Sequence, residues 1–352
     1  MNTLFGMGLT AILALPVVVG LASSWDSPAD KIPQAEISSG ELRAKLYLPD
    51  ARQGFYRGTR FDWAGNVSSL EYKGHNYYGQ WYTRSDPRVH DFAFEGADIV
   101  TSTCCKIQGP VEEFKTNESA LGFDEAKVGG TFIKIGVGVL RKDSEQYDAF
   151  KQYELVDPGK WTVKTHGDSV EFTHELTEAT TGYGYIYRKI VRLVAGKPEM
   201  VLEHHLKNTG RRAIYGTVYG HNFLMLDRQT TGPDFLVTFP FQLQSLQPPN
   251  KDLGEIRGNQ FVFLKALANR DVVYTRLSGF TENPRDNEIR IENRHAGAGM
   301  VIRGNRPLSE LALWSIRSVL AVEPFITMAI EPGSEFDWDV TYEYYTLAPG
   351  PK

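Results

Sequence analysis

Two stretches of this chain carry the residue types needed for proton transfer. In Leu202–Asp227, one strand pattern ends at Asn208-Thr209-Gly210 and a second delivers Gly220-His221-Asn222-Phe223. In Leu311–Val340, a carboxylate follows an apolar run at Glu323-Pro324, and Ile330-Glu331-Pro332-Gly333 turns the chain into a last strand. Imidazole titrates near neutrality and a carboxylate can take a proton and return it, so His221 and Glu323 are candidates for general acid–base chemistry. A cation such as Arg317 would help keep Glu323 ionised. Each residue also has a plainer reading. A lone His at a strand end is more often a satisfied structural residue, and Glu323 could be a solvated strand-end carboxylate. Glu331, the rival carboxylate, sits in a Pro-Gly context that reads as an exposed turn.

Other chemistries find no support. There is no G-x-S-x-G, no G-x-x-x-x-G-K-[ST] and no H-E-x-x-H. Gly136-Val137-Gly138 lies inside a strand pattern, which is the wrong place for a dinucleotide fingerprint. His204-His205 also lies on a strand, where neighbours point to opposite faces, so the two rings are not a chelating pair. The only cysteines are the adjacent Cys104 and Cys105. A vicinal disulfide is conceivable, but without a second cluster a zinc site is not expected. Neither a metal nor a cofactor is called for.

The elements that would position these residues read as strands. The chain has 352 residues, 41% of them hydrophobic and 12% aromatic, enough for a large core. Short strand patterns separated by turn signals run over 44–48, 67–72, 131–140, 161–164, 170–176, 183–194, 200–206, 213–219, 235–239, 272–277, 289–292, 311–316, 325–330 and 338–345. Lys73-Gly74 and His166-Gly167-Asp168 are hairpin signals. Helical periodicity is nearly absent, and the stretch 143–152 is short and poorly capped. No fixed repeat points to a propeller. The expectation is an all-β protein, a single large antiparallel β-sandwich over 41–352, after a flexible lead-in at 23–40 with Pro28 and Pro33. The net charge of −5 is interspersed, without the basic stripe of a nucleic-acid binder.

At the N-terminus, Leu9–Ala22 is an apolar run followed by Ser23-Ser24. Its length falls short of the ~20 residues of a membrane span, and the small residues suit cleavage after Ala22. Residues 1–22 therefore read as a signal peptide, and the mature protein as exported and free of stable membrane insertion.

Taken in order, the features resemble the aldose 1-epimerase (galactose mutarotase-like) superfamily. They are a sheet-forming run ending in Asn208-Thr209-Gly210, then His221-Asn222-Phe223, a late Glu323-Pro324, and Pro332-Gly333 before the last strand. Ala64-Gly65-Asn66-Val67 with Lys73-Gly74 matches the family's opening, so the resemblance spans roughly 61–345. It implies the galactose mutarotase-like supersandwich, with His221 as general acid and Glu323 as general base in anomer exchange. The family's Arg-containing stretch and second His have no clean counterpart. Arg57 and Arg60 come early, and His90, with His75 behind it, is the best stand-in for the second His. Asn222 and Arg317 complete the polar candidates for substrate binding. Trp81, Trp314 and Tyr78 are candidates to stack on a sugar's apolar face.

The partner expected is thus a sugar or oligosaccharide. Two other functions stay open at this stage. A polysaccharide lyase or other glycoside-processing enzyme would use Arg57, Arg60, Arg84 and Arg88 to neutralise a uronic carboxylate. A non-catalytic carbohydrate-binding module would keep the aromatic platforms and have no need of His221 or Glu323.

Overall fold

The computed structural model describes residues 32–348; the expected signal peptide lies outside them. Strand patterning translates into five sheets among the described residues, of which the two largest are antiparallel and form the sandwich. The larger has ten strands, in the order Lys160–Thr165, Ser169–Thr177, Gly184–Leu193, Glu199–Asn208, Glu335–Thr346, Ala298–Gly304, Glu288–Asn293, Phe235–Thr238, Gln260–Phe263 and Gly254–Arg257. The smaller has six, in the order Gln244–Gln247, Val273–Ser278, Glu310–Ile316, Val319–Ile330, Ile214–Phe223 and Gly109–Lys115. Among the described residues there is no α-helix, only short 3-10 turns.

Alternation explains why the sheets stack. Along Gly184–Leu193 and Glu199–Asn208 every second residue is buried, the signature of a sheet with one wet face. Those inward residues meet the inner face of the smaller sheet. Tyr187, Leu206 and Trp338 pack with Val218, Ile326 and Met328, and Val191, Leu202 and Tyr342 share a core with Leu311, Leu313 and Val322. The all-β sandwich expected from the sequence is what forms.

Several boundaries differ from the sequence reading. Gln34–Ser38 pairs with Leu42–Tyr47, burying Ala35 and Ile37, so the expected lead-in at 23–40 is ordered sheet in that part; residues 23–31 lie outside the described residues. The alternation of Gln34–Ser38 is only five residues long, and Pro33 just before it masked the strand. The single pattern over 131–140 is two strands, Thr131–Lys134 and Gly138–Arg141, paired across a tight connection where Gly136 takes φ 77°. At Lys73-Gly74 both residues have positive φ, the primed hairpin turn the dipeptide signalled. Glu323 lies inside a strand, Val319–Ile330, and does not follow one.

Candidate active site

Strand register brings His221 and Glu323 together although about a hundred residues separate them. Ile214–Phe223 and Val319–Ile330 are antiparallel neighbours, with Tyr219 opposite Phe325 and, further on, Leu224 opposite Leu320. The same register places His221 across from Glu323 as a cross-strand pair. His221 Nε2 lies 3.2 Å from Glu323 Oε1, with both side chains almost wholly buried. Their face of the smaller sheet points away from the ten-stranded sheet. It forms the floor of a cavity of about 540 Å³ whose lining includes Glu113, Tyr219, His221, Phe223, Tyr274, Trp314, Glu323 and Phe325. Loops wall it with Arg60, Trp81, Asp91, Cys105 and the Tyr147–Phe150 segment.

Apolar rings fix the pair. The imidazole stacks on Phe223 at a 3.8 Å centroid separation and meets Phe61 edge-on at 5.6 Å. Phe223 in turn stacks on Trp81, and Trp314 stands edge-on to His221 and Trp81. This enclosure sets the proton affinities. Burial, then the Arg60 guanidinium, pushes His221 well below its ordinary value. Burial raises the Glu323 carboxyl to about 7, with Arg60 opposing and Glu113 assisting. Near neutrality the imidazole is therefore uncharged and the carboxyl close to half-protonated, so the proton the pair can give sits on Glu323. His221 Nδ1 is buried without a hydrogen-bond partner, a cost of about 1–3 kcal/mol that a merely structural His would avoid.

Behind the pair lies an ionic cluster that sequence reasoning missed. Glu113 accepts from Arg60 Nε at 2.8 Å, Lys134 Nζ at 3.0 Å and the Tyr219 hydroxyl at 2.6 Å. Burial opposes its ionisation, but Lys134 and Arg60 outweigh it and hold the carboxyl down at about 2. Arg60 also reaches the Tyr219 oxygen and lies over the Phe61 and Phe150 rings. The signal was available: a Lys within the apolar run Phe132-Ile133-Lys134-Ile135 and the doublet Glu112-Glu113 within Val111–Phe114 are costly burials that demand partners.

Of the sequence candidates, the cavity gathers His221, Glu323, Arg60, Trp81 and Trp314. The other four stand elsewhere. Arg57 is exposed and donates to the Arg52 carbonyl, because the turn at Asp50–Gly54 draws it outward. Arg317 donates to the Asn269 and Ala97 carbonyls, tying two loops together. His90 is exposed at the rim; its Nε2 is 2.9 Å from Asp148, so it braces the cavity wall and does not line it. Asn222 occupies the opposite strand face from His221, donating to the Val322 carbonyl and accepting from Tyr342 inside the sandwich. Of the secondary candidates, Tyr78 is a core residue bonded to Tyr344, and His75 pairs with Asp227. The separation of His204 from His205 is as expected: His204 is buried against Glu112 and Trp338, and His205 is outside with Asp337.

The architecture defines the class. The chain superposes on a galactose mutarotase-like protein from Clostridium acetobutylicum with a TM-score of 0.54 at 11% identity, covering 89% of this chain and 95% of that one. A galactose mutarotase-like protein from Lactobacillus casei gives 0.52 at 13% identity, covering 89% and 100%. A galactose mutarotase related enzyme from Lactobacillus acidophilus gives 0.51 at 14% identity, covering 91% and 99%. The fold is therefore that of the galactose mutarotase-like sandwiches. By sequence, no known family profile and no curated protein matches the chain.

Proposed function

We propose that the cavity holds the reducing end of a sugar and interconverts its anomers through His221 and Glu323. One observation carries this reading: a buried imidazole–carboxyl pair in direct contact on the floor of a cavity with aromatic walls. Anomer exchange removes the proton of the anomeric hydroxyl and supplies one to the ring oxygen. Those two oxygens share one carbon, so an acid and a base that touch each other can serve both. The ring opens, the bond between the first two carbons rotates, and reclosure returns the protons. One proton suffices, and no net charge is created. The resemblance implies His221 as the first donor and Glu323 as the first acceptor. The order of their proton affinities favours the reverse for the opening step, with Glu323 giving and His221 taking. Trp81, Phe223 and Trp314 supply apolar ring faces against which a pyranose can rest.

The charge of the lining argues against a lyase. Abstracting a proton beside a uronic carboxylate requires an uncommitted cation. Arg84 and Arg88 are engaged by Glu95 and Asp86 at the surface, Arg57 lies outside, and Arg60 is held by Glu113. In the lining, Asp91, Glu113, Glu118, Asp148 and Glu323 outnumber Arg60 and Lys115. A pure binding module would have no reason to bury a titrating pair at the cost of an orphaned ring nitrogen.

The test follows the equilibration of freshly dissolved α-anomers by NMR. Wild type accelerates neutral aldoses and leaves glucuronate at its spontaneous rate. Glu323→Gln loses about 10²–10⁴-fold of the acceleration. For wild type, kcat/KM declines above pH ~7 as Glu323 loses its proton, about tenfold per pH unit. A protein that accelerates no aldose would sink the reading, and unsaturated products released from a uronate polymer would restore the lyase.

A further inference from the structure

The vicinal cysteines are the one sequence feature that this chemistry does not use. Successive side chains in extended backbone point to opposite sides. Here Thr103–Cys105 forms a 3-10 turn that swings both thiols to the same side, leaving the two Sγ atoms 2.7 Å apart. Both residues are buried, at 1% and 2% exposure, yet Cys105 forms part of the cavity lining, so reagents small enough for the cavity reach it. Arg60 Nη1 lies 3.5 Å from Cys105 Sγ, and the Ser102 hydroxyl is 2.9 Å from Cys104 Sγ. Two sulfurs facing one another this closely are placed to bond.

We propose that Cys104 and Cys105 are a reversible redox pair that closes to a vicinal disulfide in the cavity wall. The oxidant is a small neutral disulfide, such as bis(2-hydroxyethyl) disulfide. The Cys105 thiolate attacks one of its sulfurs, forming a mixed disulfide and expelling one small thiolate. Cys104 then attacks the Cys105 sulfur and expels the second. Two protein thiols become one disulfide, and the small disulfide becomes two small thiols, so hydrogens and electrons balance.

Two features make the couple reversible and slow. Adjacent residues keep their Cα atoms about 3.8 Å apart, closer than ordinary disulfides tolerate, and the resulting strain makes the bond easy to reduce. Burial first, then the neighbouring Cys104, raises the Cys105 thiol well above its ordinary value, with Arg60 opposing. Little thiolate is therefore present at neutral pH, and exchange accelerates as pH rises. Closing the ring also moves Cys105 Sγ relative to Arg60, the cation that anchors Glu113 behind the His221–Glu323 pair.

The proposal does not rest on the sugar reading, and its test uses no sugar. The folded full chain is incubated with bis(2-hydroxyethyl) disulfide, denatured, treated with a maleimide and weighed by mass spectrometry. The expected product is lighter by two hydrogens, carries no adduct and regains two alkylatable thiols after dithiothreitol. Cys104→Ser is expected to retain one hydroxyethylthio group on Cys105, the arrested first step. Two alkylatable thiols after prolonged incubation at pH 8.5, or a lasting hydroxyethylthio adduct on the wild type, would overturn the proposal. So would an unmodified Cys104→Ser chain that circular dichroism shows to be folded.

Discussion

At the residue scale, the molecule accepts a stability cost to keep Glu323 poised. Its carboxyl titrates at about 7 in the fold against an ordinary value of 4.5, because burial penalises the charged form. The unfolded chain releases this proton at lower pH than the native one. The contribution to stability is thus complete below pH 4.5 and is lost as pH rises through about 7. The loss amounts to roughly 3 kcal/mol at pH 8. Glu323→Gln removes the titration, so urea unfolding should show a variant whose stability changes less than wild type's between pH 5 and 8. At pH 8 it should gain up to about 3 kcal/mol over wild type. An unaltered pH slope would mean that Glu323 is not the buried acid described. The pair was singled out in sequence as a His at a strand end and a Glu after an apolar run, in the order that the resemblance implied. That they stand across from each other on adjacent strands was not legible. Nor was their poise, since it depends on Phe61, Phe223 and Arg60 converging from distant segments.

At the element scale, strict alternation makes each strand of the smaller sheet serve two environments. On Gly109–Lys115, Glu113 faces the cavity and Glu112 faces the interior of the sandwich, beside Lys189, Asp62 and His204. Lys189 is fully buried and pairs with both carboxylates while donating to the Ala64 carbonyl at 2.9 Å. Burial raises the Asp62 carboxyl despite Lys189, whereas Lys189 and His204 overcome burial to hold the Glu112 carboxyl below its ordinary value. Lys189→Met strands two acids in the core and should cost about 3–5 kcal/mol in chemical denaturation while leaving the sugar KM of the folded fraction unchanged. Tyr219→Phe, on the neighbouring strand's cavity face, removes one hydrogen bond to Glu113. The hydrogen bond from Arg60 goes with it, so the change should cost about 1.5–3 kcal/mol, less than Lys189→Met, yet alter KM or kcat, because Arg60 loses a partner. Equal effects of both substitutions on KM would contradict the two-faced arrangement. Alternation is also where sequence reasoning stopped short. The rule that separated His204 from His205 separates His221 from Asn222, and it places Asn222 in the core. Arg57 and Arg317 lie in connections whose direction no periodicity encodes, so their turning away from the cavity could not be read in advance.

At the scale of the whole molecule, sequence order and sheet order diverge, and that divergence sets how the fold can be assembled. The strand pattern announced an all-β sandwich, but pairing across more than about a hundred residues leaves no local trace. Glu335–Thr346, the last strand in sequence, lies in the middle of the ten-stranded sheet, between Glu199–Asn208 and Ala298–Gly304. It contributes Trp338, Tyr342 and Tyr344 to the core, and Tyr342 also holds Asn222 on the strand that carries His221. Without this strand, two long ladders lose their shared partner, and the larger sheet splits into halves with unpaired edges. Non-local pairing of this kind also delays folding, because loop closure must be achieved before the contacts repay it. A chain ending at Ser334 should therefore yield no cooperative thermal transition and should be digested rapidly by protease under conditions where the full chain resists. If the shorter chain still melted cooperatively, the two halves of the sheet would be independent folding units, and the cavity on the smaller sheet would not depend on the last strand for its support.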